Sequence, residues 1–472
     1  MTFPVDVVVM AAGKGTRMKS LRPKVLHRLG GRALAQHVID CAARLSARSV
    51  VVVTGHGAGQ VETGLVAPQT PCGDPMGLRF VRQEPQLGTG HAVQQAVPVL
   101  PDDGVVLVLN GDVPLVDPDT IGALLQACGG QHLALLTVDT GADAGSYGRV
   151  LRAGDGSGVV LAIVENKDAT PDQRRVTEWY SGVMAAPARL LKGWLAQLTN
   201  DNQQGEYYLT DVVRHAVAGG HAVKAIVTDD EIQVAGVNSP QQLAWLERAY
   251  QSRRADALMA DGVRLADPGR FDLRGELVCG QDVEIDVNCV FEGRVELGDG
   301  VRIGANCVIA NARIDAGAVI HPFTHIDGEK LGVSVGAGSL VGPFARLRPG
   351  ARLGAEVHIG NFVEVKNSTL ADGAKANHLA YLGDASVGER VNYGAGSITA
   401  NYDGANKHRT VIEADVHVGS NCVLVAPVTV GAGGTVGAGS VITKDAPAGA
   451  LSVVRAKAFT VADWHRPTKK TG

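Results

Sequence analysis

Residues 333–365 read VSVGAGSLVGPFARLRPGARLGAEVHIGNFVEV, and an apolar residue occupies every sixth position of this stretch. The same period of six occurs in three blocks of the sequence. Its members are Ile285, Phe291, Leu297, Ile303 and Ile309; Val335, Val341, Leu347, Leu353, Ile359 and Val365; and Val418, Leu424, Val430, Val436 and Ile442. A period of six matches neither a helix nor an ordinary strand, whereas sustained hexapeptides are typical of a parallel β-helix. We therefore predict a β-helix domain over residues 263–472.

Two segments break this period, at residues 366–381 and 398–410, where the sequence contains NHLAYLGD and ITANYDGANKH. We predict that both are loops leaving the coil, and loops on a rigid scaffold often carry function. The alternative for so glycine-rich a region is a low-complexity linker, but a linker keeps no period.

The composition excludes several classes of protein. The chain has 472 residues, of which 45% are hydrophobic, and no run is long enough to span a bilayer, so we expect two or three domains and no membrane partner. The N-terminus carries no secretory signal, which predicts a cytoplasmic protein. Its seven cysteines form no C-x-x-C pair, which argues against a zinc site or a disulfide framework. A net charge of -4 with interspersed signs predicts no nucleic-acid partner.

The first half of the chain has a different organisation. Over residues 1–238, apolar runs such as VDVVVM, SVVVVTGH and GVVLVLNGDVPL alternate with helical patterns. This alternation predicts an α/β domain of the Rossmann-like kind, whose ligands lie at the carboxyl ends of the strands. Ser239 and Pro240 then begin one helix, with Ser as N-cap, over residues 239–262. We predict that this linker helix is a spacer of about 30 Å that buries little.

The loop after the first predicted strand, AAGKGTRM at residues 11–18, indicates phosphate binding. Met18 stands where both the dinucleotide fingerprint and the P-loop need glycine, so neither motif is complete. Backbone N–H groups at Gly13 and Gly15, with Arg17 and Lys24 nearby, could still hold a nucleoside triphosphate. The alternative is a plain turn between a strand and a helix with basic surface residues.

Two further turns strengthen the phosphate interpretation. NGD at residues 110–112 follows an apolar strand, and an aspartate there suits Mg²⁺, although a turn aspartate is the alternative. QLGTGHA at residues 86–92 is a second glycine turn before a helix, able to approach a base or ribose or simply to cap the helix.

Motifs from both halves occur here in one order: AAGKGTRM, PKVLH, QLGTGHA, GDVPL, YGR, VENKDAT and QGEYYLTD, then GPFARLRPG, NFVEVKN, NHLAYLGD, NYDGANK and LVAPVTVG. This combination resembles the bacterial bifunctional N-acetylglucosamine-1-phosphate uridyltransferase/glucosamine-1-phosphate acetyltransferase family over nearly the whole chain. The resemblance implies that the second half acetylates glucosamine 1-phosphate from acetyl-CoA. The first half would then join UTP to N-acetylglucosamine 1-phosphate with Mg²⁺ and release pyrophosphate, supplying UDP-N-acetylglucosamine for peptidoglycan and lipid A.

The resemblance also implies site residues in the first half. The nucleotide and sugar-nucleotide contacts fall on Met10, Ala11, Ala12, Gly13, Arg17, Lys24, Gln83, Gly88, Thr89, Asn110, Gly111, Asp112, Gly148, Glu165 and Asn238. Asp112 and Asn238 would hold the metal, and Gly148 and Glu165 the sugar. Where the family usually carries Asn-Thr-Gly or Asn-Ser-Gly, this chain has Tyr180-Ser181-Gly182, and no ligand contact is assigned to Tyr180.

In the second half, acetyl transfer to an amine needs a base, and His378 is our candidate, with an ordinary surface histidine as the alternative. By resemblance, Arg348, Lys366, Tyr381 and Asn392 bind glucosamine phosphate, and Ala395, Asn401, Tyr402, Ser420, Ala438 and Arg455 bind acetyl-CoA. The family also implies a left-handed coil and a homotrimer whose subunits complete one another's sites.

Two other functions remain open at this point. One is a sugar-nucleotide-binding regulator whose hexapeptide half only holds copies together. The other is a single-function sugar-1-phosphate pyrophosphorylase with a structural β-helix. The set of Arg348, Lys366, His378 and Tyr381 favours the bifunctional enzyme, because a scaffold has no need of it.

Overall fold

The computed structural model describes residues 3–68, 73, 76–154 and 156–467. The chain divides into two compact units, one up to Tyr250 and one from Gln251 onward. The helices are α1 Leu34–Arg44, α2 Ala58–Gly64, α3 Thr89–Ala96, α4 Pro118–Cys128, α5 Ala188–Leu195, α6 Asp211–Ala218 and α7 Pro240–Ala260. Within the described ranges, no helix combines the length and the hydrophobicity that crossing a membrane requires.

The first unit is built on a nine-stranded sheet. The unit's strands are β1 Val5–Met10, β2 Arg28–Leu29, β3 Arg32–Ala33, β4 Ser49–Thr54, β5 Gly77–Arg82, β6 Val105–Asn110, β7 Leu133–Val138, β8 Arg149–Arg152, β9 Val160–Val164, β10 Trp179–Pro187 and β11 Val223–Thr228. The order is β11-β7-β10-β6-β1-β4-β5, with β8 and β9 attached beside β10, while β2 and β3 form a separate hairpin. Strand β10 runs antiparallel to β6 and β7, and the other pairs along the main path are parallel.

Both faces of this sheet are buried, which explains why its central strands are apolar at successive positions. Val7 and Val9 of β1 belong to one hydrophobic cluster, and Val8 belongs to another. Strands β1 and β6 are parallel neighbours, with Met10 opposite Asn110 at their carboxyl ends. The two predicted ligand loops therefore begin side by side at one edge of the sheet, as expected for an α/β domain.

The second unit is a left-handed parallel β-helix, as predicted. Its strands are β12 Arg264–Leu265, β13 Phe271–Cys279, β14 Glu284–Ile285, β15 Cys289–Leu297, β16 Arg302–Ile303, β17 Val308–Ile314, β18 Val319–Ile320, β19 His325–Asp327, β20 Val333–Val335, β21 Leu340–Val341, β22 Arg346–Leu347, β23 Arg352–Leu353, β24 His358–Asn361, β25 Glu364–Lys366, β26 Thr369–Leu370, β27 Lys375–His378, β28 Tyr381–Gly383, β29 Ala385–Val387, β30 Asn392–Tyr393, β31 Ile398–Ala400, β32 Thr410–Ile412, β33 His417–Val418, β34 Val423–Val425, β35 Val428–Val430, β36 Thr435–Val436, β37 Val441–Ile442 and β38 Leu451–Ser452.

These strands stack in three columns of parallel pairs. The first column runs from β12 through β27 and β30 to β38. The second runs from β17 through β20 to β35, and the third from β17 through β19 to β37. The periodic apolar residues are buried along the axis; Val335, Val341 and Leu347, for example, are each 0% exposed. Each hexapeptide therefore forms one face of the coil and places one side chain inward.

The prediction that residues 366–381 leave the coil is wrong. Thr369–Leu370 and Lys375–His378 are strands paired with the coils before and after them. The coil continues because the spacing between successive inward-facing residues shortens from six to five between the buried Val365 and Leu370. The small Ala376 then takes the next inward position. The second break does contain an excursion, which follows Ile398–Ala400 and ends before Thr410–Ile412.

The expectation that the linker helix buries little is also wrong. Ser239 does cap it, because Gln242 N donates to Ser239 Oγ at 3.3 Å. In the first unit, Leu246 is 1% exposed and packs in a cluster with Met18, Leu29 and Leu34. In the second unit, Ala255 and Leu258 are buried with the β-helix core. Each half of α7 is therefore part of the packing of its own unit.

Candidate functional site

The loop after β1 packs closely against Lys24. Gly15 has a φ of 59°, and a Cβ there would lie 2.7 Å from Lys24 Cβ, so this position requires glycine. At Gly13, a Cβ would meet no heavy atom within 4 Å among the described residues. Packing therefore does not explain the glycine at position 13, whose backbone is open to a close approach.

Three predicted residues from distant parts of the sequence meet at this edge. Lys24 Nζ donates to Asp112 Oδ2 in a short ion pair and to Asn238 Oδ1 at 3.0 Å. Val237 N also donates to Asp112 O at 2.9 Å, which holds the chain before Asn238 against the NGD turn. One carboxylate oxygen and one amide oxygen thus accept from the same ammonium group. Oxygen atoms of these two kinds are what Mg²⁺ prefers.

The second glycine turn is held by a different set of contacts. Gln83, which is 4% exposed, donates through Nε2 to Gly88 O at 2.9 Å. Gly88 has a φ of 109°, and a Cβ there would lie 2.7 Å from Tyr207 O. Thr89 Oγ1 accepts from Leu209 N at 3.1 Å. The turn is therefore fixed against residues 207–209, and its glycine is required by close backbone packing.

A cavity of about 220 Å³ lies beside these turns. It is lined by Met10, Thr89, Asn110, Ser146, Tyr147, Gly148, Glu165, Tyr180, Ser181, Gly182, Leu209 and Thr210. The two predicted sugar residues, Gly148 and Glu165, are therefore in one cavity with Met10, Thr89 and Asn110 of the predicted nucleotide set. Ser146, Tyr147, Leu209 and Thr210 were missed by the sequence reasoning, although Tyr147 begins the quoted motif YGR and Leu209 and Thr210 belong to QGEYYLTD.

Glu165 is the acidic group of this cavity. Burial raises the pKa of Glu165, the nearby acids Asp168 and Asp211 add to the increase, and a hydrogen bond from Thr210 Oγ1 at 2.9 Å opposes it. A carboxyl group held in this way is a hydrogen-bond partner suited to the hydroxyl groups of a sugar.

The remaining predicted residues of the first unit surround the same edge. Ala11 and Ala12 are buried, and Gln86 Nε2 donates to Ala12 O. Gly111 N donates to Met10 O at 2.9 Å. Arg17 is exposed and lies on the turn Thr16–Met18. A groove of about 710 Å³ at the amino ends of the strands is larger, but it contains none of the predicted residues.

In the second unit, predicted phosphate ligands form a cationic group on the third column of strands. Arg348 donates to Glu364 Oε1 at 2.8 Å, and Lys366 and Tyr381 follow on β25 and β28. The neighbouring Lys407 ammonium lowers the pKa of Lys366, and burial and Arg348 lower it further. Cations held this close to each other favour an anion, and a phosphate would relieve their repulsion.

Lys407 was missed by the sequence reasoning. It lies in the excursion after Ile398–Ala400, which the second break in the hexapeptide period had indicated. The predicted ligand Asn392 lies on the first column instead, in register with Lys375 and His417. The structure therefore does not bring Asn392 onto the same face as Arg348, Lys366 and Tyr381.

His378 lies at the corner between the first and third columns. Its Nδ1 is 2.9 Å from Asn361 Oδ1, the side chain directly opposite it in the neighbouring coil. An amide oxygen only accepts hydrogen bonds, so Nδ1 is the donor in this contact, and the neutral form of the ring that makes it has its lone pair on Nε2. The exposed ring is thus oriented with Nε2 available as a proton acceptor.

Three small residues predicted for acetyl-CoA continue this corner along the coil axis. Gly396 N donates to His378 O, Asn421 N to Ala395 O and Gly439 N to Ser420 O, which aligns His378, Ala395, Ser420 and Ala438 on successive coils. Neighbouring strands are about 4.8 Å apart, so the row is about 14 Å long. A row of small side chains leaves room for an extended chain beside the histidine, and Arg455 lies near its end, with Cδ 3.9 Å from a Cβ built on Gly439.

A buried carboxylate holds the start of the excursion. Asp384, which is 8% exposed, accepts hydrogen bonds from Asn401 Nδ2 and, at 2.5 Å, from Asn367 Nδ2. Tyr402 is 62% exposed and donates to Gly404 O at 2.6 Å. Of the two predicted residues, Asn401 is therefore fixed by the coil, and Tyr402 is on the exposed side of the excursion.

Comparisons with known proteins match both halves. Residues 7–260 match the MobA-like NTP transferase domain, and residues 277–311 and 409–444 match the bacterial transferase hexapeptide repeats. A protein of Polaromonas naphthalenivorans (strain CJ2) named bifunctional protein GlmU is 72% identical over 470 residues, which cover 99% of each chain. The bifunctional protein GlmU of Paracidovorax citrulli (strain AAC00-1) is 70% identical over 474 residues, 98% of each chain.

Among solved structures, a UDP-glucose pyrophosphorylase complexed with UDP-glucose matches at a TM-score of 0.44 and 17% identity, covering 53% of this chain and all of that one. The prediction of an enzyme with a nucleotidyltransferase half and a hexapeptide acetyltransferase half is confirmed by the family matches and by the full-length relatives. At this identity over nearly the whole length, the chain belongs to the GlmU family of bifunctional proteins.

Proposed function

We propose that this chain makes UDP-N-acetylglucosamine in two steps. The β-helix unit acetylates glucosamine 1-phosphate with acetyl-CoA, and the α/β unit then transfers UMP from UTP to the N-acetylglucosamine 1-phosphate formed. The observation that carries the second step is the meeting of Lys24, Asp112 and Asn238 at the sheet edge. Carboxylate, amide oxygen and ammonium are the groups that a metal-bound triphosphate requires.

In uridyl transfer, a phosphate oxygen of the sugar phosphate bonds to the α-phosphorus of UTP as the bond to the pyrophosphate oxygen breaks. The sugar phosphate is already a nucleophile, so the site needs positioning and charge neutralisation rather than a strong base. Asp112 and Asn238 would hold Mg²⁺, which when bound neutralises phosphate charge. Lys24 and Arg17 orient the α-phosphate, and Gly148 and Glu165 hold the sugar.

In acetyl transfer, the amine nitrogen of glucosamine 1-phosphate bonds to the thioester carbon and the thiolate of CoA leaves. His378 Nε2 takes the proton that the nitrogen loses, because Asn361 keeps the proton of the neutral ring on Nδ1. Arg348, Lys366 and Tyr381 would hold the substrate phosphate. The row Ala395, Ser420 and Ala438 would hold the pantetheine arm, with Asn401, Tyr402 and Arg455 as further contacts of acetyl-CoA. Asn392, which lies on the first column, remains a predicted contact of glucosamine 1-phosphate.

We also propose that the chain works as a homotrimer. At one corner of four successive coils stand Phe323, Phe344, Phe362 and Leu379, which are 51%, 47%, 56% and 62% exposed. The Phe323 and Phe344 rings stack with centroids 4.9 Å apart, and Phe344 and Phe362 with centroids 5.3 Å apart. A continuous exposed apolar row is typical of an interface, and this row ends beside His378. A neighbouring copy that covers it would border the acetyltransferase site.

A cytoplasmic location follows from the substrates, since UTP and acetyl-CoA are available there. One assay tests both catalytic steps: the protein receives glucosamine 1-phosphate, acetyl-CoA, UTP and Mg²⁺, and free CoA and UDP-sugar are both measured. We expect stoichiometric CoA and UDP-N-acetylglucosamine. Uridyl transfer to added N-acetylglucosamine 1-phosphate without CoA release from glucosamine 1-phosphate would favour a single-function pyrophosphorylase instead.

A further inference from the structure

Asp384 is a buried carboxylate at a corner of the β-helix. It lies between the third and second columns, at the position that Gly350 and Asn367 occupy in the two preceding coils. All three residues have a positive φ, of 79° at Gly350, 46° at Asn367 and 50° at Asp384. Glycine and asparagine meet this backbone requirement without burying a charge, which is unfavourable. The geometry of the corner therefore does not explain why a carboxylate stands here.

The two carboxylate oxygens of Asp384 bond to different parts of the unit. Oδ1 accepts from Asn367 Nδ2 at 2.5 Å, in the preceding coil, and Oδ2 accepts from Asn401 Nδ2, at the first residue of the excursion. The main chain of Asp384 makes a similar pair of contacts. Its N donates to Lys366 O at 3.1 Å, and its O accepts at 3.2 Å from the N of Thr410, the first residue after the excursion. Asp384 thus joins the strand that carries Lys366 to both ends of the excursion.

The excursion is a short hairpin, so an anchor at its base orients the whole of it. His408 N donates to Asn401 O at 2.8 Å, and Tyr402 pairs with Lys407 in an antiparallel bridge. Lys407 is therefore one pair away from the residue whose side chain Asp384 holds. The direction of the Lys407 side chain depends on this anchored base.

The hairpin places a second ammonium group beside Lys366. Lys407 lowers the pKa of Lys366, and burial and Arg348 lower it further. The Asp384 carboxylate opposes this decrease in pKa, so its charge acts on the same group. Two neighbouring ammonium groups repel each other, and a hairpin without an anchor would be free to turn Lys407 away from Lys366. Asp384 supplies both an anchor and a charge of the opposite sign.

We propose that Asp384 is a positioning residue of the acetyltransferase site, which anchors the excursion so that Lys407 stands beside Lys366 and both bind the phosphate of glucosamine 1-phosphate. This inference rests on the proposed function, because it takes the cationic group as the place of the phosphate. In this role Asp384 acts through Lys407 rather than on a substrate. Its loss should therefore weaken the binding of glucosamine 1-phosphate and leave the chemistry at His378 unaffected.

The test is Asp384→Gly in the full-length protein, since Gly350 shows that this corner accepts glycine. We expect the KM of glucosamine 1-phosphate to rise about tenfold, which corresponds to about 1.4 kcal/mol, while the kcat of acetyl transfer changes less than about twofold. Asp384→Asn can keep part of the anchor, so it should raise the same KM by only about threefold. An unchanged KM in Asp384→Gly, or a loss of kcat as large as the rise in KM, would overturn the proposal.

Lys407→Met decides whether Asp384 acts through this lysine. In a protein that already carries Lys407→Met, Asp384→Gly should raise the KM of glucosamine 1-phosphate by less than about twofold more, because the group that it positions is gone. A further rise of about tenfold would mean that Asp384 affects the site by another route, which contradicts the proposal.

The matched control is Asn367→Gly. Asn367 stands at the same corner one coil earlier and donates the other hydrogen bond to the Asp384 carboxylate, on the side of the coil rather than of the excursion. This variant should leave the KM of glucosamine 1-phosphate within about twofold of its original value. A rise equal to that in Asp384→Gly would mean that both changes act by loosening the coil, and the positioning role would be rejected.

A failure of the proposed function is distinguishable from a failure of this inference. In the first case the unaltered protein would release no CoA when given acetyl-CoA and glucosamine 1-phosphate. In the second case it would release CoA, with a KM for glucosamine 1-phosphate that Asp384→Gly does not change.

Discussion

Removal of the imidazole in His378→Asn should lower the kcat of acetyl transfer by at least about a hundredfold, because loss of a general base typically costs about 10² to 10⁴ in rate. The contact of His378 Nδ1 with Asn361 Oδ1 leaves Nε2 as the proton acceptor of the neutral ring, and the ring lies beside the row that would hold acetyl-CoA. Uridyl transfer by the same preparation should be unchanged. Its rate therefore serves as an internal control for folding.

Asn361→Ala should have a smaller effect, since it leaves the base and removes only its orienting bond. The Nδ1 to Oδ1 contact of 2.9 Å is solvent-exposed, so we take the low end of the net value of a hydrogen bond, about 0.5 to 1 kcal/mol. At 1.36 kcal/mol for each factor of ten, kcat should fall about two- to fivefold. Because Asn361 acts through His378, adding Asn361→Ala to His378→Asn should cost almost nothing more.

The assay is steady-state release of CoA from acetyl-CoA at saturating glucosamine 1-phosphate, run on both single variants and the double variant. Pyrophosphate release from UTP and N-acetylglucosamine 1-phosphate is measured in parallel. Near-normal acetyl transfer in His378→Asn would refute the assignment of the base. An equal effect of Asn361→Ala with and without His378 would refute the orienting role while leaving the base in place.

Three further predictions concern the first unit. Asp112→Ala should abolish UDP-sugar formation and spare acetyl transfer, because the metal loses its carboxylate; parallel kinetic assays check this, and equal loss of both activities would indicate misfolding. Leu246→Ala should lower the free energy of unfolding of the first unit by about 2 to 5 kcal/mol in urea, since Leu246 is 1% exposed in its cluster. A change below about 0.5 kcal/mol would mean that α7 is only a spacer. Glu165→Gln should raise Tm more at pH 7 than at pH 4. The pKa of Glu165 is raised in the folded protein, so ionisation of this carboxyl group destabilises the fold as the pH rises above the pKa of the unfolded chain. An equal change in Tm at both pH values would contradict this.

The sequence by itself determined the architecture of each half. The spacing of six in residues 333–365 predicts the β-helix because a coil with three faces turns one side chain inward on each face. The strand VVLVL before NGD predicts a buried parallel strand, whose carboxyl end is where such sheets bind ligands. Both patterns are local, so they can be read without knowing what the chain packs against.

Only the tertiary structure decided which side chains meet. Lys24 and Asn238 are 214 positions apart, and their contact depends on how the loop after β1 and the segment before α7 close over the same sheet edge. The burial of Leu246 and the cationic group around Lys407 likewise depend on packing between distant segments. Periodicity specifies the direction of a side chain relative to its own strand or helix, whereas its partners are set by the three-dimensional arrangement of the others.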